Sequence, residues 1–236
     1  MRIHRFLSIL VSLVYKSMFL SSEDNLRRSH LVAKILFILS MLYIVNTARY
    51  DGAFLVIAMC FILTMFFRGA SVYIASLVLS TLPATWLALS ALFLQPFMTY
   101  SITYGDALLI FVKTLAASQS IIFFISALSP VELANIIAKI SPRAALYPIV
   151  TWRLIPLALK DVTEALMIQS LKNEDAWRAL AVAIASQFER TNRIEEANIY
   201  RLEHGLLKPV PRSTSLSSTL ILVVAPVLAI LVIHIF

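Results

Sequence analysis

The stretch from Gly69 to Gly105 contains no charged residue, and no other feature of the sequence limits the possible folds so strongly. A helix needs about 20 predominantly apolar residues to cross roughly 30 Å of bilayer hydrocarbon. Hydrophobic residues make up 60% of the 236-residue chain and charged residues only 14%, whereas an ordinary soluble domain is about a quarter charged. The composition therefore predicts an integral membrane protein.

Five apolar segments are predicted to cross the membrane as helices, because a helix satisfies its own backbone groups in lipid. The predicted spans cover residues 35–48 (extended back to Leu31), 52–67, 70–97, 106–128 and 217–236. Pro83 lies inside the third span and is expected to kink it. We therefore predict an all-α fold with four spans in residues 31–128 and a last span in residues 214–236.

The distribution of Lys and Arg predicts the orientation of these spans. Six precede Ile35, Arg68 follows the second span, and eleven lie between Glu132 and Arg212, whereas the opposite side carries only Arg49. Basic residues are concentrated in cytoplasmic loops. The N-terminus and residues 129–213 are thus predicted to be cytoplasmic and the C-terminus external. The net charge of +7 then reflects topology and attraction to the lipid bilayer, with no nucleic-acid partner.

Residues 1–30 begin with two arginines and a short apolar run. This pattern is shared by signal peptides, but no convincing small-residue cleavage site follows. An interfacial amphipathic helix fits better, because apolar and basic residues separate onto two faces. The apolar face would carry Phe6, Leu7, Leu10 and Val14, and the basic face Arg2, Arg5 and Lys16.

Residues 129–213 contain several signals for the starts and ends of helices. Ser129-Pro130-Val131-Glu132 has the spacing of a capping box, and Ser141-Pro142 is expected to begin a second helix. Two polar segments, QSLKNE (169–174) and RLEHG (201–205), end the two long helices that follow. A basic residue at a helix C-terminus is electrostatically favourable. These ends are either solvated or insert into grooves on partner proteins.

Lys113 is a charged residue inside the predicted fourth span. Such a group is expensive in the membrane and faces the interior of the bundle, so it is a candidate functional residue. Asp106 lies seven residues earlier, about 10 Å away along the helix axis. The alternative is that Lys113 is held by a helix-packing partner.

The sequence contains no pattern typical of a metal, cofactor or catalytic site. Cys60 is the single cysteine, and the four histidines are scattered, so no metal-ligand spacing occurs. P-loop, dinucleotide-binding and nucleophile-elbow motifs are missing as well. We therefore expect no catalytic residues, no cofactor and no metal. A lipid-acting membrane enzyme and a stand-alone membrane carrier remain the alternatives to the function considered next.

Residues 101–205 resemble the transmembrane T component of energy-coupling-factor transporters, the ABC importers of vitamins and of cobalt or nickel ions. The run SPVELANIIAKISPRAALYPIVTWRLIP (129–156) looks like the family's segment in which a short helix leads through a proline to an R-F-I-P motif. Arg153 and Pro156 fall on that motif. Lys113 falls where the family usually has arginine.

The resemblance implies a non-enzymatic scaffold with two cytoplasmic coupling helices. In the family, each helix ends in an Ala-Arg-Gly-like triplet that docks on one of two ABC ATPase subunits, and the scaffold also binds a membrane-embedded substrate-binding subunit. The triplets would correspond here to Leu171, Lys172 and Asn173 and to Glu203, His204 and Gly205. Lysine keeps the charge of arginine without its planar fork, and histidine is mostly neutral near pH 7.

Overall fold

The computed structural model describes residues 2–18, 25–95, 103–141, 144–172, 176–203 and 214–235. These residues form nine helices and no strand, which confirms the prediction of a helical chain for the part that is described. The helices are α1 (Arg2–Met18), α2 (Leu31–Thr47), α3 (Tyr50–Arg68), α4 (Ala70–Leu94), α5 (Tyr104–Ala127), α6 (Pro130–Ala138), α7 (Leu146–Lys172), α8 (Ala176–Glu203) and α9 (Leu216–Ile235).

Four of the described helices, α3, α4, α5 and α9, are long and apolar enough to cross a membrane. The predicted first span is shorter. Helix α2 has 17 residues, from the His30 cap to an extended residue at Ala48, and at 1.5 Å per residue it covers about 26 Å. The fold is consistent with a helical membrane protein, with four helices of spanning length where five were predicted.

The chain divides into two compact units, which are described separately. The bundle unit comprises Lys16–Leu128 and Ser213–Phe236, and the hairpin unit comprises Met1–Tyr15 and Ser129–Arg212. The bundle unit contains α2, α3, α4, α5 and α9. The hairpin unit contains α1 up to Tyr15, together with α6, α7 and α8.

Helix α5 is the centre of the bundle unit, because α2, α3 and α4 all pack against it. The rings of Phe37 on α2 and Phe123 on α5 lie 5.2 Å apart between centroids. At the other end of α5, the Tyr50 hydroxyl of α3 donates to the Gly105 carbonyl at 2.7 Å. Helix α9 packs against α2, and the His30 amide donates to Thr219 Oγ1 at 3.1 Å.

Two glycines allow the close helix connections in the bundle unit. A Cβ atom at Gly52 would lie 2.3 Å from Cβ of Ala48, so only glycine fits where α3 turns back from α2. Gly69 has a φ of 88°, a left-handed conformation that favours glycine, and it joins α3 directly to α4. Helix α4 then continues through Pro83.

The helix-start predictions had mixed outcomes. The capping box predicted at Ser129 is wrong, because the Ser129 side chain makes no capping hydrogen bond and Pro130 begins α6 without it. A capping box forms instead at the start of α5, where the Asp106 amide donates to Thr103 Oγ1 and the Thr103 amide donates to Asp106. Ser141 Oγ accepts from the Ala144 amide at 3.3 Å, which forms a turn ahead of α7.

Candidate functional site

The candidate site is built on α7 and α8, which fold back on each other as a helical hairpin. Asp161 lies 11 residues before the end of α7, and Gln187 lies 11 residues after the start of α8. These two residues are nevertheless in contact, because Gln187 Nε2 donates to Asp161 Oδ2. Equal distances from the connection require the two helices to run in opposite directions.

Among the described side chains, the inner face of this hairpin has a small apolar core and a polar contact between the two helices. Leu166 is 1% exposed, and Val162 and Ala165 pack around it. On the polar side, Arg190 of α8 lies 3.2 Å from the carboxylate of Asp161, which also accepts from Gln187. The Asp161 side chain is only 20% exposed, so water screens its contacts with Gln187 and Arg190 less than it screens contacts on an open surface.

Replacing Asp161 with alanine is expected to lower the stability of the hairpin by about 1–2 kcal/mol, because two donors on α8 lose their shared acceptor. Amide hydrogen exchange of α7 and α8 peptides should then accelerate by roughly tenfold. Glu164→Ala is the matched control, since Glu164 pairs with Lys160 at side-chain exposures of 60% and 70% and such pairs contribute little. Equal acceleration in both variants would contradict the assigned role of Asp161.

The outer surface of the hairpin is strongly apolar. Along α8, Trp177, Ile184 and Phe188 are 77%, 60% and 71% exposed, and their spacing of seven and four residues places them on one helix face. On α7, Met167 and Ile168 are also exposed. Exposed apolar side chains that share a helix face are suited to contact with a protein partner or with lipid.

Three of the predicted docking residues, Leu171, Lys172 and Glu203, lie in the last turns of α7 and α8. Lys172 is the last residue of α7, and its side chain is exposed. Leu171 and Glu203 are helical, but their side chains lie outside the described part of the structure. Asn173, His204 and Gly205 also lie outside the described residues. Because α8 has 28 residues, its two ends are about 40 Å apart.

The residues on the R-F-I-P-like motif lie in the first half of α7. The side chain of Arg153 is outside the described part of the structure. Helix α7 continues through Pro156, which lines a largely apolar groove of about 540 Å³ together with Val11 and Tyr15 of α1. The groove lies within the hairpin unit.

Lys113 has a partner on a neighbouring helix, which agrees with the alternative interpretation of this residue. Its Nζ atom donates to the backbone carbonyl of Asn46, near the end of α2, at 3.2 Å. Asp106 is used in the capping box with Thr103, so its carboxylate serves the start of α5. Lys113 therefore joins α5 to α2 in the bundle unit.

A cluster of cations at the end of α5 was missed by the sequence interpretation. Arg27 Nε and Arg68 Nη2 both donate to the Ser126 carbonyl, at 3.1 and 2.8 Å. Lys34, which is only 1% exposed, donates to the Arg27 carbonyl at 2.8 Å. Cations at a helix C-terminus stabilise the unpaired carbonyls there. Only Lys34 carried a signal in the sequence, because it lies within the apolar run that begins at Leu31.

The described residues contain no group of three or more His, Cys, Asp or Glu side chains that could hold a metal ion. What α7 and α8 do present is a set of exposed apolar side chains and an exposed lysine, Lys172, at the end of α7. Comparisons with protein-family models, with curated proteins and with solved structures found no match to this chain.

Proposed function

We propose that this protein is the transmembrane coupling subunit of an importer of the energy-coupling-factor type. In this proposal, two cytoplasmic ABC ATPases bind at the ends of α7 and α8, one near Lys172 and the other near His204. The helices carry the movement driven by ATP hydrolysis to a membrane-embedded substrate-binding subunit, which takes up a vitamin or a cobalt or nickel ion. The chain itself would hydrolyse no ATP.

The observation that carries the proposal is the hairpin unit's shortage of internal core. Leu166 is its one large apolar side chain that is buried among those described, whereas Trp177, Ile184 and Phe188 are largely exposed. A pair of helices of 27 and 28 residues that buries so little of its apolar surface needs partners to cover it. A scaffold for other subunits has this property.

The spacing of the helix ends also supports the proposal. Two docking points about 40 Å apart are too distant for one small groove and suit two separate subunits. Lys172 is exposed at one of these points and ends its helix, so the cation lies where the helix dipole favours it. The apolar face of α8 lies between the two points and would bind the substrate-binding subunit.

Affinity purification of the tagged protein from its native membrane in mild detergent tests the proposal. One or two ABC ATPases are expected to co-purify, and the double variant Lys172→Glu, His204→Glu is expected to lose them, because reversed charge opposes docking at both ends. Lys160→Glu is the matched control, since Lys160 is an exposed lysine on the same helix but far from its end. This control should retain the ATPases.

Two results would contradict the coupling function. The first is that no ATPase co-purifies, or that the double variant retains it undiminished. The second is ATPase activity of the purified chain that survives removal of every contaminating nucleotide-binding subunit.

A further inference from the structure

A small cavity lies inside the bundle unit, lined by residues of α3, α4 and α5 and by Ser17 near the end of α1. Polar side chains from all three helices line it: Thr64 and Arg68 from α3, Ser76 from α4, and Gln119 and Ser126 from α5. The space open to the centre of a water molecule is about 10 Å³. Polar groups from three apolar helices therefore converge on a space of the size of one small molecule.

Gln119 is the member of this group that lacks partners. The side chain is 2% exposed, yet neither Oε1 nor Nε2 makes a hydrogen bond. The Tyr73 phenol is the nearest candidate partner, because it lies close enough to the Gln119 amide to be influenced by it, but the pair does not satisfy the distance and angle criteria of a hydrogen bond. Buried polar atoms are almost always paired, so an unpaired amide that lines a cavity points to an occupant of that cavity.

The chemistry of the amide restricts what this occupant can be. Because Oε1 accepts and Nε2 donates, the occupant must both donate and accept hydrogen bonds. A halide ion only accepts, and a metal cation would meet the Arg68 guanidinium and the Gln119 NH₂ group. The volume of about 10 Å³ is close to the space needed by a single water molecule. The volume of the cavity and the hydrogen bonds that the Gln119 amide requires therefore both match a water molecule.

We infer that one buried water molecule binds in this cavity, pairs with the Gln119 amide, and links it to the hydroxyl groups of α3 and α4. Thr64 and Ser76 are 5% and 8% exposed, and buried water typically makes two to four such bonds. Helices in lipid associate through close packing and hydrogen bonds between them. The water molecule thus completes the contact of α3 and α4 with the central helix.

Radiolytic hydroxyl labelling of the full-length protein in H₂¹⁸O tests this site, because a bound water molecule generates radicals that react with the side chains around it. Cys60 lines the cavity and is an oxidisable reporter. Met41 is the internal reference, since it is equally buried in the same unit, at 0% exposure against 2% for Cys60, and is not among the cavity residues. Because a thiol reacts with hydroxyl radicals faster than a thioether does, the readout is the ratio of ¹⁸O incorporation at Cys60 to that at Met41, compared between the wild type and variants.

Gln119→Met is the variant that removes both hydrogen-bonding atoms while filling a similar volume. It should lower the ratio of Cys60 to Met41 labelling several-fold, whereas Tyr73→Phe should leave this ratio unchanged. A ratio of Cys60 to Met41 labelling that is undiminished in Gln119→Met would overturn the inference. If the variant does not fold, a high-resolution density map of the wild type decides: a peak within hydrogen-bonding distance of both amide atoms supports the site, and a bare amide overturns it.

Discussion

Lys34→Glu is expected to lower the unfolding free energy of the bundle unit by about 3–5 kcal/mol, which is the range for an uncompensated buried charge. The Lys34 side chain is 1% exposed and its Nζ atom donates to the Arg27 carbonyl at 2.8 Å. A glutamate carboxylate would face the Arg27 carbonyl oxygen, so two hydrogen-bond acceptors would meet where little water is present. Lys34→Met should cost less, about 1–3 kcal/mol, because it leaves the carbonyl without its donor but adds no charge.

Cys60 provides the measurement. It is the single cysteine of the chain and is 2% exposed in the core of the bundle unit. A thiol-reactive fluorophore in a thermal ramp therefore reports the unfolding of this unit. The midpoint for Lys34→Glu should fall by about 10 °C, and that for Lys34→Met by less. Equal midpoints for the wild type and both variants would show that Lys34 is not buried as described.

Leu166→Ala is expected to destabilise the hairpin unit by about 2–3 kcal/mol, near the lower end of the range for deletion of a buried leucine. Leu166 is 1% exposed, but only Val162 and Ala165 pack around it as apolar neighbours, so the surrounding side chains can partly collapse into the space. Hydrogen exchange of amides in α7 and α8 should accelerate by more than tenfold, since each 1.4 kcal/mol corresponds to a factor of ten.

Ile168→Ala is the matched control for this prediction. Ile168 lies two residues further along the same helix and is 52% exposed, so its truncation removes little buried surface and should change stability by less than about 0.5 kcal/mol. If both variants accelerated exchange equally, Leu166 would not form the core of the hairpin. Protection of the Leu166→Ala hairpin by co-purified partner subunits would be expected from linkage between binding and folding.

The positions of the helices were largely predictable from the sequence. Helices α3, α5 and α9 begin within two residues of the predicted starts of their spans, because a sustained apolar run has few alternatives in lipid. The predicted third span ran to residue 97, and α4 ends at Leu94. Capping was predicted less well: the box was placed at Ser129, whereas Thr103 and Asp106 form one. The same spacing occurs at both places, and only the local backbone decides which side chain caps.

The polar contacts could not be predicted, because their members are far apart in the chain. Arg27 and Ser126 are separated by 99 residues, and Lys113 and Asn46 by 67 residues. Periodicity shows which face of a helix is apolar, but it does not show which neighbour lies against that face. The contact between Arg68 and Ser126, which are 58 residues apart, likewise depends on packing around α5, which no local pattern encodes.

The sequence by itself determined that the chain is helical and apolar enough for a membrane, and that its long charged helices lie in residues 129–213. These properties follow from side-chain hydropathy and from the residues that start and stop helices, and both act over one helix at a time. Only the tertiary structure decided that Asp161 meets Gln187 and Arg190 and that the Gln119 amide is left facing a cavity. Both outcomes depend on the register between helices, which is set by close packing of side chains from distant parts of the chain.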